Sequence, residues 1–149
     1  MSRGGQTVGI SIQWVSAANV QGARATSSFD IEGGILRDMT IYLDAEVALE
    51  ELFGRYGPPE KYLAALSGIH FTAVRVSLFY PEDGFVAHVE LPRHDASLRP
   101  DTNVASVWYF QSAPLDRFLE LGRDIGHFSA SVQREALSDW EGYGPLEVE

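Results

Sequence analysis

The sequence predicts an α+β domain: an antiparallel β-sheet of about five or six strands with two helices packed on one face. Three observations predict it. Apolar residues recur at every second position in several runs that are separated by glycine-bearing turns. Two other stretches carry apolar residues at helical spacing and stop at Gly or Gly-Pro-Pro. The chain has 149 residues, 45% apolar and 11% aromatic, enough for one domain to bury a core without staples.

In chain order, Val8, Ile10, Ile12 and Trp14 alternate with Gly9, Ser11 and Gln13, the period of a half-buried strand. Residues 16–28 are small and polar and are expected to form a loop. Residues 29–43 read as a hairpin, because Glu32-Gly33-Gly34 offers the positive φ of a tight turn and Met39, Ile41 and Leu43 alternate with Asp38, Thr40 and Tyr42. Asp44 then caps a helix over residues 45–56, with Val47, Ala48, Leu52, Phe53 and Tyr56 on one face and Glu46, Glu50 and Glu51 on the other. Gly57-Pro58-Pro59 ends it.

Residues 61–66 are nearly continuous in apolar character, so a helical turn and a strand both fit; a strand is preferred. Residues 71–80 alternate clearly. Pro81-Glu82-Asp83-Gly84 is a four-residue turn, and residues 85–91 return antiparallel. Residues 92–103 hold two prolines and read as a surface loop, followed by a strand at 104–110. Ser112 is expected to cap a second helix with Pro114 in its first turn and Leu115, Phe118, Leu119 and Leu121 as its stripe, ending at Gly122. The remainder, 123–149, carries Ile125, Phe128, Val132, Leu137, Trp140 and Tyr143, enough apolar surface to pack it against the body.

An offset of fifty positions sets Phe29, Glu32, Gly34, Met39 and Ile41 against Phe79, Glu82, Gly84, Val89 and Leu91. The single domain of residues 1–149 then has an alternative division into a partial first unit, 1–43, and a second unit with a C-terminal extension, 44–149. The helix ending in Tyr56-Gly57-Pro58-Pro59-Glu60, followed by aromatic strands with a Gly turn, resembles the SmpA/OmlA (BamE-like) envelope lipoprotein domains. The β-lactamase inhibitory protein fold, two such units in tandem, is similar. Leu98-Arg99-Pro100-Asp101-Thr102-Asn103-Val104 and Trp140-Glu141-Gly142-Tyr143-Gly144 look like pieces of uncharacterised bacterial lipoproteins of this kind. The resemblance spans about residues 35–144. It implies a protein-binding module of the cell envelope, extracytoplasmic and not an enzyme. The chain departs from the pattern in having no Cys to carry a lipid and no first helical unit.

The formal charge of −10, from 21 acidic residues against 11 Lys and Arg, repels phosphate backbones, so nucleic acid is not expected as a partner. Absence of Cys removes thiolate catalysis and Cys-ligated zinc. No window reaches the length of a membrane-spanning helix, so membrane insertion of this chain is not expected, and residues 1–6 have no signal-like apolar run. Among His70, His88, His94 and His127, a metal site needs convergence with a carboxylate, and His88, His94 and Asp95 are the candidates if the loop after Leu91 folds back. The acidic pairs Glu50-Glu51 and Glu82-Asp83, and Asp44 with Glu46, read as solvated charge. No nucleophile elbow or phosphate-binding glycine loop is present in the sequence.

Large rings are the remaining signal. Trp108 and Phe110 share one face of their strand and Tyr109 takes the other, so both faces need cover or a partner. The expected function is a non-enzymatic domain that binds another protein with an aromatic sheet face or an exposed edge, with Tyr80, Trp108 and Tyr109 as contact residues and no cofactor, metal ligand or catalytic residue. Two rival readings stand beside it: a metal-dependent hydrolase using His88, His94 and Asp95, and a domain holding a small apolar ligand between sheet and helices.

Overall fold

The structure is a computed structural model. It describes the backbone of every residue except Met1, Gly4, Gly5, Val8, Gln21, Gly22, Gly33, Gly34, Leu43, Asp44, Ala45 and Glu149, and the side chains of residues 39–41 and 46–148.

Seven strands form one antiparallel sheet: β1 (Gly9–Val20), β2 (Ala23–Glu32), β3 (Ile35–Tyr42), β4 (Lys61–Ser67), β5 (Ala73–Tyr80), β6 (Phe85–Pro92) and β7 (Ser106–Tyr109). Their order is β1-β2-β3-β7-β6-β5-β4. Helix α1 (Leu49–Tyr56) carries the chain from β3 to the far edge, and β4 to β7 meander back until β7 closes on β3. Helix α2 is Leu115–Asp124. The α+β class and the antiparallel sheet stand as expected.

Residues 16–28, expected to be a loop, belong mostly to the β1–β2 hairpin and lengthen both strands, which pair from Gly9 with Glu32 to Val20 with Ala23. Small polar residues carry no period-2 signal, yet backbone pairing does not require one. The expected turn at Gly33-Gly34 and the expected cap at Asp44 lie outside the described residues. Both hairpins of the internal echo exist, but their registers differ: Phe29 pairs with Met39, whereas Phe79 pairs with Val86.

The helices do not share a face. Period-2 alternation puts Val74, Val76, Leu78 and Tyr80 of β5 and Phe85, Ala87, Val89 and Leu91 of β6 on one side, where they pack with Leu49 and Leu52 of α1. Phe79 and Val86 point to the other side and pack with Leu115, Phe118 and Leu119 of α2, and with Phe128 and Leu137 from the C-terminal segment. The central strands are apolar at both parities, so each face needs its own helix.

Helix α1 begins at Leu49, later than expected, and Ala48 provides no side-chain cap. Its first N–H groups donate to a distant loop instead: Leu49 N to Thr102 O at 2.8 Å and Glu50 N to Pro100 O at 3.0 Å. That loop is tied by Arg99 N donating to Thr102 Oγ1 at 2.8 Å and anchored by buried Leu98. Trp140 and Tyr143 pack their rings on Phe53 of α1, at 5.1 and 5.7 Å between centroids. Gly144 and Pro145 pair with Leu98 and Ser97. The two late sequence pieces, Leu98 to Val104 and Trp140 to Gly144, therefore meet around one helix.

Helix α2 is preceded by Pro114 at the cap position; Ser112 does not cap it but donates its hydroxyl to Glu82 O at 2.6 Å. This bond, with Ala113 N to Pro81 O and Phe110 N to Gly84 O, straps the β5–β6 turn to the chain leaving β7. Gly84 has φ +78, and a Cβ there would stand 2.9 Å from Phe110 O, so the turn and the strap require glycine at this position. No helix among the described residues is long and apolar enough to cross a membrane.

Candidate functional site

The β5–β6 turn places Tyr80 and Phe85 directly opposite each other in the ladder, and their rings stack at 4.6 Å. Phe85 in turn pairs with Tyr109 of β7, with the rings 5.6 Å apart. Gly57, at φ +78, ends α1 so that Tyr56 in its last turn sets its ring edgewise against Phe85 at 4.9 Å and Tyr80 at 6.1 Å. Four rings from four elements thus close one end of the sheet. The inner pair is buried; Tyr109 is half-buried and Tyr56 is 39% exposed.

The Tyr80 hydroxyl donates to Gly57 O at 3.0 Å, locking the helix end to the sheet. Burial pushes the Tyr80 phenol well above its ordinary pKa, and the negative charge of Asp83 adds to the rise. Burial also raises Tyr109, with a further contribution from Tyr56. Both phenols are neutral at physiological pH.

Beside this cluster is a recess of about 240 Å³ walled by Tyr56, Pro58, Glu60, Tyr80, Pro81, Glu82 and Asp83. Among the described residues none of its three carboxylates forms an ion pair. Arg55 already lies over the Tyr56 ring, 5.7 Å from its centroid, a cation on an aromatic face. The recess therefore offers negative charge and π surface together, which selects positively charged groups.

Of the expected contact residues, Tyr80 and Tyr109 are joined through Phe85, with Tyr80 buried as the support rather than the outer surface. Trp108 lies on the opposite sheet face, half-buried between His88 at 4.1 Å and His127 at 4.4 Å. Sequence reasoning places Tyr56 only in an apolar stripe and treats Glu82-Asp83 as solvated charge. The available signal is the position of this acidic turn between Tyr80 and Phe85.

His88, His94 and Asp95 do not converge. His88 is 2% exposed within β6, whereas His94 and Asp95 sit in an exposed turn after it, with Asp95 paired to Arg99 at 3.1 Å. Among the described residues no group of His, Asp and Glu could hold a metal ion. A second recess of about 220 Å³ lies between α2 and residues 133–135 and is walled mainly by charged groups, including the Asp116–Arg134 pair at 2.8 Å. Neither recess is an apolar cavity between sheet and helices. Comparison with family models, with curated proteins and with solved structures gives no match to this chain.

Proposed function

We propose that this chain is a non-enzymatic protein-binding domain whose contact surface is the aromatic end of the sheet around Tyr56 and Tyr109. The observation that carries this reading is the stack itself. Tyr80 and Phe85 are fixed by ladder pairing and by the bond to Gly57, so the two outer rings are held in place before any partner arrives. Preorganised tyrosines beside a desolvated support concentrate binding energy at interfaces. The carboxylates of Glu60, Glu82 and Asp83 beside them add a preference for a basic segment of the partner. The Tyr56 to Glu60 helix stop before an antiparallel meander supports the kinship with SmpA/OmlA domains, and with it a place in the cell envelope.

Site-specific photo-crosslinking in cells tests the reading. A photoreactive residue at Tyr56 is expected to yield a discrete protein adduct that is lost in a Tyr109→Ala background and is absent when the same residue replaces Glu120 on α2. Identical labelling from both positions overturns the assignment of the surface.

A further inference from the structure

We propose that the outer edge of β4 joins two copies of this chain in a symmetric antiparallel pair, a surface separate from the aromatic end. Strand β4 is the last in the sheet. Tyr62 exchanges both backbone hydrogen bonds with Ser138, each at 2.9 Å, so its N–H and C=O point away from β5. Alternation then points the same groups of Ala64 and Leu66 outward. Among the described residues neither has a partner there.

This open window is bounded at both ends. Ser138 occupies the edge at Tyr62, with the Lys61–Asp139 ion pair beside it, and the strand ends at Ser67 before Gly68 turns away at φ +81. A long incoming strand collides with the Ser138 segment. A second copy fits: with Ala65 facing Ala65 on the two-fold axis, Ala64 pairs with Leu66 of the other copy and Leu66 with its Ala64, each pair exchanging both N–H···O bonds. The facing side chains are then alanine and leucine, with Leu63 opposite Ser67 at either end. Residues 61–81 contain no Asp or Glu, so the net charge of −10 is kept off the seam.

The same register accounts for the exposed apolar surface next to it. Beyond Ser67, His70 and Phe71 adopt φ of 61 and 53, a left-handed backbone that is costly outside glycine, and Ile69 and Phe71 stand 81% and 60% exposed. In the pair, this tip of one copy falls beside Lys61 and the Ser138 segment of the other, where both side chains lose water. One occupant thus fills an unpaired edge and covers an uncovered tip.

Sedimentation equilibrium on the full chain reads the outcome. The wild-type chain is expected to dimerise, and Ala64→Pro, which deletes one outward N–H without touching the β4–β5 ladder, is expected to weaken the dimer by about tenfold or more with an unchanged circular dichroism spectrum. Because the chain has no Cys, Ala65→Cys supplies an independent readout. Mild oxidation is expected to give a disulfide-linked dimer through this non-hydrogen-bonded cross-strand pair, and Glu120→Cys none. A chain that stays monomeric up to millimolar concentration, higher oligomers that persist in Ala64→Pro, or equal crosslinking from positions 65 and 120 overturns the proposal.

Discussion

His88 Nδ1 lies 3.2 Å from Ser77 Oγ across the β5–β6 ladder, while the Nε2 of the same ring is buried without a partner among the described residues. Burial, reinforced by the positive charge of Arg75 and by His127, lowers the His88 pKa from 6.5 to about 3. The unfolded chain takes up this proton near pH 6.5 and the folded chain only near 3, so the unfolded state binds more protons throughout that window. The His88 contribution is constant above pH 6.5 and declines as pH falls towards 3, by on the order of 5 kcal/mol at the limit.

Replacement of His88 by Leu tests the sign directly. With Nε2 unpartnered, an apolar side chain of similar size forfeits one weak bond to Ser77 and removes the cost of charging the ring, so stability at pH 8 is expected to change by about 1 kcal/mol or less. At pH 4.5 His88→Leu is expected to be the more stable protein in urea titrations. Parallel pH dependences for the two proteins refute the assignment of His88 as the acid-sensitive group.

The buried ring of Phe128 packs directly on Gly122 in the last turns of α2, where a Cβ would overlap it, and the Gly122 carbonyl accepts from the N–H groups of both His127 and Phe128. In an open helix Gly→Ala gains about 0.5–1 kcal/mol. Here the overlap reverses the sign, and Gly122→Ala is expected to destabilise by about 1–3 kcal/mol, as overpacking does. Combining it with Phe128→Ala removes the clash, so the double variant is expected to lose less than the sum of the two singles. A higher melting temperature for Gly122→Ala alone contradicts the packing.

How far the sequence shows this fold depends on where each element finds its partners. Strands β5 and β6 and the Gly84 turn are legible because their alternation and turn residues are local, whereas β4, apolar at both parities, has no local pattern that separates strand from helix. The separation of the helices is half-visible, since Phe79 and Val86 stand at the parity opposite to Val76 and Ala87 and an apolar second face needs its own cover. The start of α1 is not legible at all: its cap partners, Pro100 and Thr102, lie far along the chain, and no local spacing announces them. Residues 16–28 mislead for the opposite reason, because strand pairing there is carried by backbone without apolar alternation. At the site, Tyr80 and Tyr109 can be read as rings on a sheet, but Tyr56 comes from a helix whose docking is set by partners distant in sequence and by the Gly57 stop and the Tyr80 bond.

The loop that caps α1 offers a graded test of that long-range contact. Thr102→Val keeps the shape of the side chain but removes the acceptor for Arg99 N–H, and is expected to cost about 1 kcal/mol by urea denaturation. Hydrogen exchange at Leu49 and Glu50, whose amides donate into this loop, is expected to accelerate more than at Val76 in the core. Equal acceleration at all three positions implies global destabilisation and not a local cap.

Tyr80 joins stability to the proposed surface, because its hydroxyl ties Gly57 O to the sheet through a side chain. Tyr80→Phe retains the stack with Phe85 and deletes the donor, so a loss of about 1 kcal/mol is expected at neutral pH. The alkaline side separates this bond from simple packing. The folded-state pKa is raised above 10.0, so the unfolded chain releases the phenolic proton first, and stability contributed by neutral Tyr80 falls as pH climbs beyond 10. Tyr80→Phe is expected to lose part of that alkaline decline, and to release the Tyr56 ring from its fixed angle, seen as line broadening of its ring resonances. If the variant keeps the wild-type alkaline profile and a rigid Tyr56, the hydroxyl does not hold the helix end, and the preorganisation on which the proposed contact surface depends has another source.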